Sequence, residues 1–550
     1  MKTPKNAEKF IYKPAVKNSD AMPVWFCFPA DFSIGMSSLG YPYLFRLLDE
    51  NPDVKPERIF TDTEKTFHNA KNVQLAGFSF SFELDFLGIF KILDKFNIPL
   101  KSIDRDENYP LLFAGGPVVT ANPEPFSAFF DFFLVGDGEE LFDEIIDVLK
   151  QNKHKTKNEK LIALSKLEGV YVPSLYEFTY NENFTISSIK TLCKETPKSI
   201  ERKVTKPLNK CLYTPIISEN IAFSNMFLIE ISRGCPMRCR FCIASYLTLP
   251  TRYPDYEEII KAIEIGLEHS SKLGLLGALI SLHPDFEKIC TYLSNRRKEK
   301  KFEVSVSSLR ADRLTPQVAQ MLAECGQKNI TIAVEAGSER LRKVINKRLT
   351  EEMIVNCIKT ASENGLTGVK IYGMIGLPTE TDDDIYEFIE LMKRLKSVKK
   401  GFKITLSVSS FVPKAQTPFE REERLANKEI KKRIELLKKG LAKIHVDFKP
   451  TSARWDYIQA FLSRADRRTA NIIEKVYKSG GNISDWNSIY KELSKEEKEI
   501  IPDFDWYALR NRSDEETLPW ALIESSVSKS LLLNERSKAF NKQSLEKIEI

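Results

Sequence analysis

Short apolar runs alternate along most of this chain with longer stretches whose apolar residues recur every three or four positions. The runs read as buried strands and the periodic stretches as amphipathic helices. Val24-Trp25-Phe26-Cys27-Phe28 is a first strand, closed by Pro29. A helix is predicted from Leu44 to Asp49, a second strand from Val73 to Phe80, and a helix around Leu87 to Leu93. A third strand beginning at Leu111 runs into Gly115-Gly116-Pro117, and a fourth, Phe132 to Val135, runs into Gly136-Asp137-Gly138. Such alternation predicts a parallel, doubly wound sheet, which binds ligands at the carboxyl ends of its strands. Residues 1–150 are therefore read as a Rossmann-like domain. Glycines at strand ends serve either as ligand loops or only as tight turns.

The polar run from Lys153 to Lys160 marks an exposed boundary. Residues 151–220 read as a connector with a β-hairpin turning at Asn181-Glu182-Asn183. Alternation resumes over 221–445, with strands beginning near Phe227, Leu275, Phe302, Ile330, Val369 and Phe402. Asp255 stands at a helix N-cap position ahead of Ile259, Ile263 and Leu267. These six β/α units predict an incomplete TIM-type barrel, with chemistry at the carboxyl ends of its strands. Residues 446–550 show helical spacing in Trp455–Leu462 and Asn471–Tyr477, with a stop at Gly480-Gly481. This helical region is read as a cap over the barrel opening. The fold class expected is α/β, a Rossmann-like domain and a partial (β/α)6 barrel, followed by a C-terminal helical region.

Composition adds limits. A chain of 550 residues exceeds one hydrophobic core, so domains of about 150–200 residues each are expected. With 42% apolar and 29% charged residues it has the balance of an ordinary globular protein. No apolar run approaches the ~20 residues of a membrane span, and Met1 to Asn6 has neither an apolar core nor a small-residue cleavage site. No membrane association is expected, and the default compartment is cytoplasmic. A net charge of +6 is mild for this length and does not by itself indicate nucleic-acid binding.

Nine cysteines in such a compartment are not a disulfide framework. Three stand together directly after the first barrel strand: Cys235, Cys239 and Cys242, spaced C-x₃-C-x₂-C. Three thiolates at this spacing suit three irons of a [4Fe–4S] cluster. The missing fourth leaves one iron open to a small molecule that brings its own amine and carboxylate. A zinc site is the alternative, and it needs a fourth protein ligand. The motif, with Phe241 just before its last cysteine, resembles the signature of the radical SAM superfamily. That resemblance implies a [4Fe–4S] cluster on the three cysteines and cleavage of S-adenosylmethionine (SAM) to a 5′-deoxyadenosyl radical. It also implies an electron donor such as flavodoxin or ferredoxin.

Other strand ends extend the likeness. Glu335-Ala-Gly337-Ser338-Glu-Arg340 is similar to a segment of the branch that includes methylthiotransferases and Elongator-type enzymes; by that likeness Glu335 binds the ribose hydroxyls. Gly376-Leu-Pro-Thr-Glu380 resembles the loop whose backbone lies along the adenine. Either segment alone is also explained by a glycine turn or a helix cap. Ser281 stands where many members hold the methionine amine, and its hydroxyl is able to accept that bond. His283 reads either as an acid–base group or as an exposed loop residue, and Lys347 either as a ligand of the SAM carboxylate or as surface charge.

In the first domain Ser79-Phe-Ser81, Gly115-Gly116 to Glu124, and Val135-Gly136 to Glu140 resemble cobalamin-binding domains fused to radical SAM domains. Phe32 departs from that pattern, standing where such domains often carry a cobalt-ligating His. Either cobalamin binds without a protein His, or the domain has lost it. Ser463 to Arg468, Asp485-Trp486 and Leu518-Pro519-Trp520 resemble uncharacterised radical SAM proteins of the same domain order. The function implied is radical chemistry on an unactivated carbon, with methyl transfer where cobalamin takes part. The alternatives are cobalamin-independent modification of RNA or a ribosomal component and, from a different class, a non-catalytic protein with a structural metal site. The remaining cysteines form no second close set, which disfavours sulfur insertion. The substrate is not legible.

Overall fold

The computed structural model describes residues 8–206, 208, 210–541 and 543; the Met1 to Asn6 segment read for a leader lies outside them. The N-terminal sheet has five parallel strands: β1 (Met22–Cys27), β2 (Val54–Ile59), β3 (Leu75–Ser79), β4 (Leu111–Gly115) and β5 (Phe132–Leu134). A short antiparallel β6 (Val170–Tyr171) completes the order β2-β1-β3-β4-β5-β6. Strand order reverses between β1 and β3, which sets the ligand crevice of a doubly wound sheet at their carboxyl ends. Trp25, Phe26, Leu112 and Phe113 are buried, as the continuous apolar runs of a sheet covered on both faces require. β2 was absent from the expectation for a physical reason. It is an edge strand, its sequence Val-Lys-Pro-Glu-Arg-Ile carries Pro56, and only part of it is buried. Trp25 Nε1 donates to Glu57 Oε2 at 3.1 Å and fixes it to β1. The expected hairpin pairs Tyr176–Tyr180 with Ile186–Thr191, and Asn181 N donates to Thr185 O at 2.8 Å to close the turn.

The second sheet system runs in chain order through β7 (Met226–Ser232), β8 (Lys272–Gly277), β9 (Glu303–Val306), β10 (Asn329–Glu335), β11 (Gly368–Ile375), β12 (Lys403–Ser410) and β13 (Asp447–Pro450). Ladders are parallel, and between β9 and β10 they narrow to one bridge, Leu309 to Ile332. The six expected strands are joined by a seventh, β13, whose four residues escape detection because only Phe448 among them is apolar. Among the described residues β7 and β13 do not pair, so the barrel is open. β8 lies earlier than the apolar run beginning at Leu275 suggested. It stops at Gly277, where an added Cβ would meet Ser232 Oγ at 2.1 Å. Ser281 therefore lies beyond the strand, in a single turn of 3₁₀ helix over Ile280–Leu282.

The C-terminal helices divide between the two sheets: Ala453–Arg464 reaches the end of β12, where Asp456 accepts from Ser410 N at 3.1 Å, yet most of the helical surface turns to the N-terminal domain. Ala453–Arg464, Ala470–Lys478, Ile483–Glu492 and Phe504–Ala508 share one core with the N-terminal sheet. Trp486 meets Phe86 edge-on at 6.0 Å, and Tyr477 meets Phe90 at 5.3 Å. Helix Phe86–Lys95 presents Phe86 and Phe90, with Ile89 and Leu93, as the apolar face these helices bury. The rim is also met by the last part of the chain: Leu518 and Trp520, then helix Lys529–Phe540.

Candidate active site

β7 delivers the chain into the cysteine loop. Arg233 and Arg252 exchange backbone hydrogen bonds at 2.8 and 2.9 Å across its neck. Gly234 has φ +81°, and a Cβ there would stand 2.6 Å from Thr248 O, so only glycine fits. Arg238 also turns through the left-handed region, at φ +54°, and its carbonyl accepts from Asn346 Nδ2 at 2.9 Å and Tyr246 Oη at 3.1 Å. Arg240 lies buried and donates to Lys343 O and Val344 O, clamping the loop to helix Glu339–Val344. Cys235 and Cys239 are buried and Cys242 is part-buried.

Burial pushes the Cys239 thiol up, and it pushes Cys242 up to about 12, with the other two cysteines adding to the effect. Lys347 works the other way on both. Three mutually interacting thiols beside a buried cation suit an anionic, thiolate-ligated cluster. Among the described residues no three His, Cys, Asp or Glu side chains converge on a single metal ion. A cluster in which each thiolate takes a different iron asks for no such convergence.

The remaining strand ends meet this loop. β10 ends in a bulge that leaves Glu335 at φ +69°, a strained setting of the kind that marks functional sites. Its Oε1 lies 3.0 Å from Lys347 Nζ. Lys347 is buried, which removes the surface-charge reading. Although burial pulls its pKa down, Glu335 and the Cys239 thiol hold the ammonium above its usual value. Arg310, after β9, contributes a second cation toward Cys239. Nothing periodic in the sequence announces Arg310; its only signal is its place just past a strand. Ser281 Oγ is buried without a hydrogen-bond partner. Phe241 packs with Ala336, Leu377 and Met374, joining the cysteine loop to the ends of β10 and β11.

Other expected residues serve local structure. Gly337 abuts Phe388, where a Cβ would stand 2.2 Å from its Cα. Ser338 caps helix Glu339–Val344 by accepting from Leu341 N at 3.1 Å, and its hydroxyl also bonds Asp384. Glu380 closes its own loop: Oε1 accepts from Gly376 N at 2.7 Å and pairs with Arg433 Nε at 2.8 Å. Gly376 needs its φ of +76° to make that loop. His283 is neither an exposed loop residue nor free for proton transfer. It is buried, Asp285 N donates to its Nδ1 at 3.0 Å, and Nε2 donates to Pro254 O at 2.9 Å.

In the N-terminal domain Ser79 pairs with Gly115 at the carboxyl edge of the sheet. A Cβ at Gly115 would make only ordinary packing contact, with Leu134 Cβ at 3.5 Å. Gly116 (φ +125°) lies against Phe80 O, and Gly136 (φ +104°) against Lys203 O, where a Cβ would sit only 2.1 Å away. Phe32 stacks edge-on with Phe60 at 5.2 Å. Gly115 thus leaves more room at the carboxyl edge of the sheet than Gly116 or Gly136, whose loops are closely packed. Asp137 and Glu139 of that loop reach across to Arg233 and Arg252, at distances of 2.5 to 3.4 Å. The carboxyl edge of the first sheet thus adjoins the cysteine loop.

Two family profiles match the chain: radical SAM proteins, N-terminal, over residues 40–173, and the radical SAM superfamily over residues 229–392. An uncharacterized protein of Methanocaldococcus jannaschii is 31% identical over 451 residues, covering 81% of this chain and 89% of that one. An uncharacterized methyltransferase of Pyrococcus horikoshii is 24% identical over 376 residues, 65% of this chain and 73% of that one. The chain belongs to the radical SAM superfamily, enzymes that use a [4Fe–4S] cluster and SAM. Among solved structures, the radical SAM methyltransferase TsrM from Kitasatospora setae, with cobalamin and [4Fe–4S] cluster bound, aligns at TM-score 0.49 and 11% identity over 70% of this chain and 75% of that one. The cobalamin-dependent SAM radical enzyme OxsB aligns at TM-score 0.49 and 14% identity over 96% and 80%. No helix among the described residues is long and apolar enough to cross a membrane.

Proposed function

We propose that this enzyme methylates an unactivated carbon of its substrate, with cobalamin held at the Ser79–Gly115 edge of residues 1–150 and SAM at the strand ends of residues 221–445. The observation that carries the reading is the bridge from Asp137 and Glu139 to Arg233, which brings the crevice edge of one sheet against the cysteine loop of the other. Two cofactor edges facing one another suit a group relay. The Pyrococcus horikoshii relative, described as an uncharacterized methyltransferase, agrees with it.

Cys235, Cys239 and Cys242 hold the [4Fe–4S] cluster, which supplies the electron that cleaves SAM. Glu335 accepts from the ribose hydroxyls while Lys347 neutralises its carboxylate. Ser281 Oγ, which has no partner in the protein, accepts from the methionine amine. Phe241 and Leu377 shape an apolar wall, and the Gly376–Glu380 loop offers its backbone to the adenine. Gly337, Ser338 and Glu380 keep those loops in place. The reductant is a low-potential carrier of the flavodoxin or ferredoxin type. The six cysteines outside the loop form no second close set along the sequence, which disfavours sulfur insertion.

Anaerobic reconstitution tests the reading in two parts. Reduced protein with SAM yields 5′-deoxyadenosine; a full cluster without that product overturns the enzyme. The reconstituted protein takes up hydroxocobalamin in equal proportion. SAM cleavage without cobalamin uptake overturns the methyl relay and favours cobalamin-free radical modification of RNA or a ribosomal component.

A further inference from the structure

Between the barrel rim and the C-terminal segment lies a cavity of about 410 Å³. Gln416 and Glu420, in the loop after β12, line one side, and Leu518, Trp520, Ala521 and Leu532 line the other. Leu518 and Trp520 also pack against Ile243 and Leu247 of the cysteine loop and Ala121 of the N-terminal domain. The cavity therefore sits where barrel, cysteine loop and first domain meet.

Two polar groups distinguish it from a packing gap. Gln416 is only 2% exposed and holds φ +60°, a strained setting for a side-chain-bearing residue. Its amide has one satisfactory orientation. Nε2 donates to Thr120 O at 2.7 Å and Ala121 O at 3.0 Å, so Oε1 cannot exchange places with it, and Oε1 has no donor. Glu420 is also buried. Its Oε2 accepts from Trp520 Nε1 and Gln416 N, both at 2.8 Å, while among the described residues Oε1 has no hydrogen bond. Burial raises the Glu420 pKa, and the carboxylates Glu516 and Glu524, which also line the cavity, oppose an approaching anion. The neighbouring Arg421 guanidinium is committed to Ser513 O and Glu516 O. Two acceptors thus stand without donors beside an apolar wall, while the cation Lys529 lies exposed at the outer end.

We propose that this cavity binds the substrate, a small molecule with an apolar body and a hydrogen-bond-donating amide or ring N–H that Gln416 Oε1 and Glu420 Oε1 accept. Calling the ligand a substrate rests on the radical reading above; the binding chemistry does not. Benzamide and benzoate match in size and differ in donor against anion. In ligand-observed NMR with the reconstituted protein, benzamide binds and benzoate does not. Gln416→Met weakens benzamide roughly tenfold, the value of one lost hydrogen bond. Ala521→Trp, which fills the cavity from the opposite wall, abolishes its signal while circular dichroism shows a melting curve like that of the unaltered protein. Equal binding of the two probes, no benzamide signal, or full binding by Ala521→Trp overturns the proposal. If Ala521→Trp fails to fold, the benzamide–benzoate comparison and Gln416→Met still decide it. SAM cleavage by the unaltered protein without any probe is scored separately: its absence overturns the enzyme reading and leaves the cavity result standing.

Discussion

Arg233 Nη1 meets Glu139 Oε1 at 2.6 Å, so the residue two positions before Cys235 is tied to the last loop of the N-terminal sheet. Arg233 also holds Glu230 at 2.8 Å and Asp137 at 3.4 Å. Burial opposes ionisation of Asp137, yet Arg233 and Arg252 keep its carboxyl below the usual range. Arg233→Met leaves three carboxylates without that guanidinium. Losing one partner of a buried charge network costs on the order of 3–5 kcal/mol. The urea midpoint falls accordingly, and iron retained after reconstitution falls with it. An unchanged midpoint with full iron content speaks against any coupling of the two domains through this residue.

Glu335→Gln keeps the shape of the side chain and removes its charge. A hydrogen bond to a charged group contributes about 1.5–3 kcal/mol. The KM for SAM therefore rises roughly 10- to 100-fold, with little change in the cluster's absorption. A loss of cluster together with SAM affinity would instead assign Glu335 to holding the loop through Lys347.

Much of the fold was legible because parallel strands buried on both faces are written as continuous apolar runs. Val24–Phe28 is of that kind, whereas the strands starting near Ile330, Val369 and Phe402 alternate buried apolar residues with part-exposed ones. β2 and β13 were not, since edge strands carry prolines and charges where one side meets solvent. The cysteine loop was legible from spacing alone. Its long-range supports were not: the pairing of Arg233 with Glu139 and Asp137, and of Gln416 with Thr120, joins residues far apart in sequence that no local pattern records. His283 shows the reverse case, a residue conspicuous in the sequence whose two ring nitrogens are both spent on backbone. The destination of the C-terminal helices was illegible because an amphipathic face states that it must be buried, not against what.

Glu380 makes stability depend on pH in an unusual direction for a carboxylate. Burial raises its pKa to about 7, although Gly376 N and Arg433 pull the other way. The ion pair with Arg433 argues for ionisation and the burial against it; burial is the larger effect here. The folded state thus holds the proton more tightly than the unfolded chain does. Its stabilising contribution is full below the unfolded pKa and is lost as pH rises through about 7. The loss is on the order of 3 kcal/mol. Urea midpoints measured from pH 4.5 to pH 8 fall for the unaltered protein, and Glu380→Gln flattens this dependence. A variant that keeps the full slope shows the titrating group to be elsewhere.

Two neighbouring glycines separate structure from cofactor binding in the first domain. Gly136→Ala puts a Cβ against the Lys203 carbonyl at a φ of +104°, both unfavourable. Such strain costs on the order of 1–3 kcal/mol, and thermal unfolding moves down measurably. Gly115→Ala meets nothing closer than 3.5 Å, so its effect on stability stays within about 0.5–1 kcal/mol. If Gly115 forms part of the open edge that receives a flat cofactor, the same change weakens hydroxocobalamin binding roughly tenfold in a spectrophotometric titration, about 1.4 kcal/mol. Gly136→Ala alters that titration only as far as it unfolds the protein. Equal weakening by both glycines, scaled to their stability losses, removes Gly115 from the cofactor edge and leaves it an ordinary turn residue.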